Sequence, residues 1–488
     1  MNPIDLSSHS RRAFLKRGAQ LAMTGTALPL ALNLAAFGEA AAFTATDYKA
    51  LVCVFLYGGN DYANTVVNYD NARYDLYSAI RGGGAGRTAG GIAIGQSQLT
   101  PTLLAPGAPL SGGYQYALNP TMTGLAGLFN TGHAAVQLNV GPLIVPLTRA
   151  QYSSGNRTDY PLPPKLFSHN DQQSVWQSSG PEGSTVGWGG NIGDLALSSN
   201  PQPLLTCISV AGNAVFLSGD EALQYQVSTS GAVKIRAATD ASLYGSVAAR
   251  TAFSQLVAQT RSHLMEDEYN KVVRRAINTE SIITAALNAY PATDAAFSAF
   301  TAGNNLADQL KMVARLIAAR SMLGNNRQVF FVSIGGFDTH DFLMAQHGPL
   351  LGRVSEAMTA FYQSTVALGI SDKVTAFTAS DFGRTLASNG DGSDHGWGGH
   401  HFIVGGAVKG AAFYGTPPPV SIGNTSAAED QWHVGQGRLL PSTAVDQYAA
   451  TLAKWFGVSD TELLGIMPNL SNFGGAAYPT DLGFMTAA

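Results

Sequence analysis

Residues 393–401, SDHGWGGHH, set one Asp and three of the chain's 10 His among glycines and a single Trp. A core histidine normally sits among apolar neighbours, whereas these polar heads ride on a permissive backbone, which reads as a ligand-holding loop. Three further stretches end an apolar run in comparable chemistry. ALVCVFLYGGND (50–61) ends in Asn60 and Asp61, with Asn64 behind; QVFFVSIGGFDTH (328–340) ends in Asp338 and His340; VTAFTASDFGRT (374–385) ends in Asp381 and Arg384. Asp338 and His340 are two apart and share one side of an extended chain. Mixed carboxylate and imidazole ligands suit Zn²⁺ or Mn²⁺ ahead of Mg²⁺ or Ca²⁺, which an all-carboxylate subset would suit. Each residue taken singly has a plainer reading. Asp61 could cap a turn, His340 could be a hydrogen-bonded loop residue, and Asp381 could pair with Arg384. His400 and His401 are adjacent, so in a strand at most one faces a shared site.

Ester hydrolysis also needs a nucleophile, either a water activated by the metal or a hydroxyl beside it. The candidate hydroxyl is Ser168 in PLPPKLFSHNDQQSVWQ, where a proline-stiffened approach meets a helical pattern. A helix N-terminus offers free N–H groups to an oxyanion. Ser168 and Asp171 also make a plausible capping pair. His169, Gln172 and Trp176 are expected to share one helix face, lining a pocket or packing.

The elements that must position these residues are legible as short continuous apolar runs, joined by AAVQLNVGPL (134–143) and HFIVGGAV (401–408). Continuous hydrophobicity marks strands buried on both faces, hence a central, mostly parallel sheet. Leu306, Leu310, Val313, Ala314, Ile317, Ala318 and Met322 follow helical spacing up to a capping Gly324. A second helix is predicted from Pro441 and Ser442 through Val445, Tyr448, Leu452 and Trp455 to Gly457. The expected architecture is a three-layer α/β sandwich, with ligands at the carboxyl ends of the strands. It forms one domain over residues 43–488, with a Gly-rich surface insertion at 81–118 and a partly helical cap at 219–300.

Residues 10–16 read S-R-R-A-F-L-K, resembling a twin-arginine export signal, and an uncharged apolar run follows from Leu21 to Phe37. Cleavage is predicted after Ala42, within a few residues. The run is too weakly apolar for stable membrane insertion. Removing residues 1–42 moves the formal charge from -4 to -6, so no basic patch for nucleic acid or anionic lipid is suggested. The two Cys, Cys53 and Cys207, each sit in a strand-like apolar run and do not make a disulfide framework.

Taken in order, LYGGNDYANTVV, FSHNDQQSVW, VGWGGNI, VSIGGFDTHD, SDFGRT, SDHGWGGHHFIVGGAVKG, AVDQYAATLAKWFGV and MPNLSNF resemble the family called domain of unknown function 1501. The resemblance spans nearly the whole chain after residue 42. It implies kinship with the alkaline phosphatase and sulfatase superfamily and a metal site at the carboxyl ends of a parallel sheet. On that basis Asp61, Asp338, His340, Asp381 and His395 are the implied ligands, His347 is a looser one, and Ser168 is the implied nucleophile. The superfamily's usual His after the Asp is replaced here by Phe382, which cannot bind a metal; Asp394 then completes a second site, or one metal binds. The reading that follows is an exported, periplasmic or secreted, metal-dependent hydrolase of phosphate or sulfate esters on a small molecule or polymer. Arg384 or His169 would steady the oxyanion, and the Tat translocase is the partner during export. The rival readings are a non-catalytic exported protein with an inherited metal site, and a metal-dependent isomerase or mutase on phosphorylated sugars.

Overall fold

The computed structural model describes residues 45–486, so the export signal expected at 1–42 lies outside the described residues. Strand β1, Lys49–Leu56, is buried at every position. Its alternate side chains serve two different cores. Ala50, Val52, Val54 and Leu56 pack in one layer with the helices Thr123–Asn130, Asn305–Ala318 and Leu343–Ala367. Leu51, Cys53 and Phe55 pack in the other with the helices Trp188–Ala196 and Val445–Phe456. This two-sided burial is why the run is continuously apolar rather than alternating. The fold is α/β, with helices on both faces of a large mixed, mostly parallel sheet.

The remaining strands are β2 (Val66–Asn68), β3 (Tyr116–Leu118), β4 (Ala134–Gly141), β5 (Cys207–Ser209), β6 (Gln224–Ser228), β7 (Gly231–Ala232), β8 (Arg327–Ile334), β9 (Val374–Ser380), β10 (Gly399–Gly405), β11 (Ala412–Tyr414) and β12 (Thr443–Ala444). The main sheet runs β11-β4-β10-β9-β1-β8-β5-β6-β7, with β12 on β4. β1 lies parallel to both β8 and β9, and Leu56 pairs in register with Ile334 and with Ser380. The three strands therefore end at one level, and the segments after them emerge side by side. β10 runs antiparallel to β9 and β4, so the loop before Gly399 arrives at that same edge.

The helix expected over 306–322 is divided into Asn305–Ala318 and a further turn, Arg320–Leu323, and Gly324 closes it in the left-handed conformation. The helix expected from Pro441 begins only at Val445, because Thr443 and Ala444 are drawn into a ladder with Val140 and Gly141. Within 81–118, Ile94 and Leu99 pack with Tyr74 and Tyr77 in a small core of their own, and β3 pairs antiparallel with β2. Residues 219–300 include the helices Val247–Ala258 and Leu264–Ala289, of which Ile283, Ala286 and Leu287 join the main core. Cys53 and Cys207 are free and buried. Among the described residues no helix is long and apolar enough to cross a membrane.

Asp446, in the first turn of Val445–Phe456, is buried and accepts the Asn469 N–H at 3.1 Å and weaker contacts from Ser179 and the Asn469 side chain at 3.4 Å. Desolvation dominates and pushes its pKa up to about 6. The folded state therefore holds a proton that the unfolded chain has already released, and stability falls as pH rises from about 4 to about 6. The cost above that window is about 3 kcal/mol for roughly two pKa units. Asp446→Asn is expected to raise stability at neutral pH by up to about that amount and to leave it nearly unchanged near pH 4. Urea unfolding of both proteins across that range checks it, and a constant gap at every pH would refute it.

Candidate metal centre

The common edge gathers residues from four segments. His169 opens the helix His169–Ser178; Asp338 and His340 follow β8; Asp381 and Arg384 follow β9; Asp394 and His395 precede β10. The side chain of Asp338 is the meeting point. His169 Nε2 lies 3.4 Å from its Oδ2, while His340 Nε2 and His395 Nε2 lie 3.1 and 3.2 Å from its Oδ1. Ligand atoms of His169, Asp338 and His395 all lie within 4.8 Å of one another, close enough to share one ion. His340 adjoins them, its Nε2 2.9 Å from that of His395.

The far side of each imidazole is held by an acceptor. His169 Nδ1 meets Asp381 Oδ2 at 2.6 Å, His395 Nδ1 meets the Phe167 carbonyl at 2.7 Å, and His340 Nδ1 meets Asp394 Oδ1 at 3.3 Å. A carbonyl or carboxylate can only accept, so each Nδ1 donates to its partner and each Nε2 is turned inward, where a bound cation would take its lone pair. Among the described residues His169 Nε2 is buried without a hydrogen-bond partner. The imidazoles of His169 and His395 with the Asp338 carboxylate form a donor set that fits a transition metal better than Mg²⁺ or Ca²⁺. Of the carboxylates Asp338, Asp381 and Asp394, only Asp338 is ion-paired with the buried guanidinium of Arg384 among the described residues, and a divalent cation would offset negative charge at the site.

The pKa shifts follow from the same contacts. The Asp381 hydrogen bond holds His169 above the usual imidazole value, against desolvation. Burial, aided by the charges of His169 and Arg384, pulls His395 down and favours its neutral, ligating form. Burial opposes ionisation of Asp338, but the hydrogen bond and charge of Arg384 outweigh it and hold the carboxyl below its ordinary range.

Several expectations need correction. Asp61 does not join the cluster: Arg81 grips it in a bidentate pair at 2.6 and 2.9 Å, and both side chains are fully buried. Its Oδ1 also caps the short helix that follows, accepting the Ala63 N–H at 3.1 Å. Asp381 and Asp394 stand behind His169 and His340 rather than beside Asp338. Arg384 is not free to steady an oxyanion, because it is fully buried and its nitrogens are taken by Asp338, Ser393 and the Gly58 carbonyl. Ser168 Oγ is engaged by Asp171 Oδ2 at 2.9 Å, not by any member of the cluster. Gln172 and Trp176 lie along the His169 side of the helix but pack rather than line the cluster: Gln172 bonds the Pro164 carbonyl and Trp176 packs on His401. His347 is buried away from the cluster, held by Asn60 at 2.9 Å, and desolvation lowers its pKa to about 4. His400 and His401 are buried on the strand, and desolvation lowers both to about 3.

Two contributors were not anticipated. Gln173, one helical turn after His169, bonds Asp381 Oδ2 at 2.8 Å, and the i, i+4 spacing in SHNDQQ was the available signal. The Phe167 carbonyl had none, since its role depends on a left-handed backbone, φ 73°, that bulky residues rarely adopt. Phe382 fills the wall between His169 and His395, its ring centroid 4.8 and 4.7 Å from theirs. Gly58 must be glycine: its φ is 115°, and a Cβ there would lie 2.3 Å from the Asp338 nitrogen.

Asp61→Asn is expected to cost about 3 to 5 kcal/mol, because it leaves the Arg81 charge buried without its counter-charge. The folded fraction should keep the wild-type metal content. Denaturant unfolding and elemental analysis on the same samples check both; metal loss without destabilisation would restore Asp61 as a ligand.

The sequence comparisons bear on the whole assembly. No curated protein matches the chain. The family described as Protein of unknown function (DUF1501) matches residues 48–436, a span from β1 past His395 that contains all four clustered side chains and their supports. With most of its length so matched, the chain belongs to the DUF1501 family.

Proposed function

We propose that the protein is an exported, metal-dependent hydrolase of phosphate or sulfate esters that uses an activated water rather than Ser168 as nucleophile. The observation that carries this reading is the convergence of three imidazole Nε2 atoms on Asp338, each ring fixed from behind by an acceptor. His169, Asp338 and His395 would hold the ion and leave a position open, the arrangement of catalytic rather than structural sites. An ion held there, Zn²⁺ or Mn²⁺ by its donors, supplies Lewis-acid activation of water and of the ester's oxygens. His340, with a side chain 40% exposed and steered by Asp394, is placed to carry a proton to or from the reacting group. Asp381 and Gln173 keep His169 oriented, and Arg384 keeps Asp338 ionised and aimed. Kinship of the sheet and its edge site with the alkaline phosphatase and sulfatase superfamily belongs to the same reading.

A non-catalytic exported protein that keeps the ion for structure or binding is the second reading, favoured by the engagement of Ser168 with Asp171. The exposure of Asp338, 44%, favours the hydrolase, since a structural ion is normally enclosed. An isomerase or mutase on phosphorylated sugars has less support, because Arg384 is turned inward.

Elemental analysis of the processed, exported protein is expected to find bound transition metal. His395→Ala and Asp338→Asn should lose it, the second while keeping an acceptor for Arg384. His340→Gln should keep the metal and lose roughly 10²-fold or more in turnover. Ser168→Ala should stay within about twofold of wild type; loss of turnover with metal retained would make Ser168 the nucleophile. Metal-free wild type with equally stable variants would overturn the reading. Export rests on the S-R-R-A-F-L-K motif. Replacing Arg11 and Arg12 by Lys is expected to leave the precursor in the cytoplasm, as fractionation would show; undiminished export would refute a twin-arginine route.

A further inference from the structure

Arg438 stands at the rim of the metal centre with only its Nε–H engaged among the described residues. Its Nε–H donates to the His395 carbonyl at 2.7 Å. Its guanidinium lies over the ring of Phe167, 5.4 Å from the centroid, the residue whose carbonyl orients His395. A tight hairpin holds it there. Val434 N bonds Arg438 O, Arg438 N bonds Gly435 O, and Leu440 N bonds Trp432 O, all at 2.9 Å, while Gly435, Gln436 and Gly437 take positive φ to close the turn. Among the described residues, neither terminal nitrogen of Arg438 has an acceptor or an ion pair. A half-buried guanidinium on a rigid support, set over an aromatic ring and with both terminal nitrogens unmatched, is poised for a planar, bidentate oxyanion contact. Its partial desolvation is answered only at longer range, by Asp394 and Tyr152. An anion placed beside it would supply the missing counter-charge.

We propose that Arg438 seats the anionic phosphoryl or sulfuryl group of the substrate against the metal centre, so that the enzyme selects charged esters over neutral ones. The inference rests on the hydrolase reading above and deepens it by naming a residue that recognises the substrate's charge. Arg384, buried behind Asp338, cannot take this part, and Lys165 is directed toward Asp171 and Glu182.

The test is calorimetric titration of the processed, full-length protein, with and without added Zn²⁺, using inorganic phosphate and inorganic sulfate as separate probes. Wild type is expected to bind at least one of them, and the stronger of the two identifies the ester class. Arg438→Gln should weaken that binding by about tenfold or more, with Arg438→Lys between the two. Metal content should be equal in all three. In hydrolysis of 4-nitrophenyl phosphate or sulfate the variant's loss should fall mainly on KM, and free guanidinium ion should partly restore Arg438→Ala, which a merely structural role would not allow. Wild type that binds neither anion, or Arg438→Gln that binds as tightly as wild type, overturns the proposal. Absence of metal from wild type defeats the hydrolase reading instead, while the titration without Zn²⁺ still scores Arg438.

Discussion

The buried guanidinium of Arg384 is the interaction on which the site depends. It follows β9, yet its donors reach the Gly58 carbonyl after β1, the Asp338 carboxylate after β8 and Ser393 before β10. Four segments that meet only at the sheet edge are thereby tied to one rigid, planar group with a fixed charge. Asp338 is held ionised and aimed as a consequence, and everything that converges on it inherits that placement. Such a cation could not be buried without these acceptors, so the loops and the arginine specify one another.

The same reciprocity governs the histidines. An imidazole on a loop has two tautomers and a free ring torsion, and neither suits a precise ligand. Here each ring is locked by its Nδ1 partner and by packing, with Phe382 against both His169 and His395. The acceptors are of different kinds, a buried carboxylate behind His169, a more exposed one behind His340 and a backbone carbonyl behind His395. The carbonyl of Phe167 is available only because its backbone occupies a left-handed conformation, a strain that the surrounding structure sustains at the site rather than elsewhere. Asp61 and Arg81 play the complementary part below the site: a closed, fully buried pair that anchors the turn after β1 to the end of the helix Asn71–Arg81.

Much of this architecture is determined by the sequence alone. Continuous apolar runs can be satisfied only by strands covered on both faces, and each of the five recognised in this chain became a strand of the one sheet. Their polar endings then had to lie at its edges. That Asp338, His340, Asp381, Asp394 and His395 lie near one another was legible from two such endings, from the loop before β10 and from the chemistry they share.

What the sequence did not determine was which member of each ending faces which. Asp61 and Asp381 look alike as an Asp following a strand, but only the folded chain brings Arg81 from the glycine-rich side onto the first and His169 onto the second. Separations of 20 and 212 residues decide those pairings, and no local pattern records them. The register of β1 with β8 and β9, the reversal of β10 and the left-handed turn at Phe167 are likewise tertiary outcomes. Residue type says what a side chain can bind; whether it binds a metal, a neighbour or a proton is settled by which partner the fold delivers first, because a buried polar group must be satisfied by what is within reach.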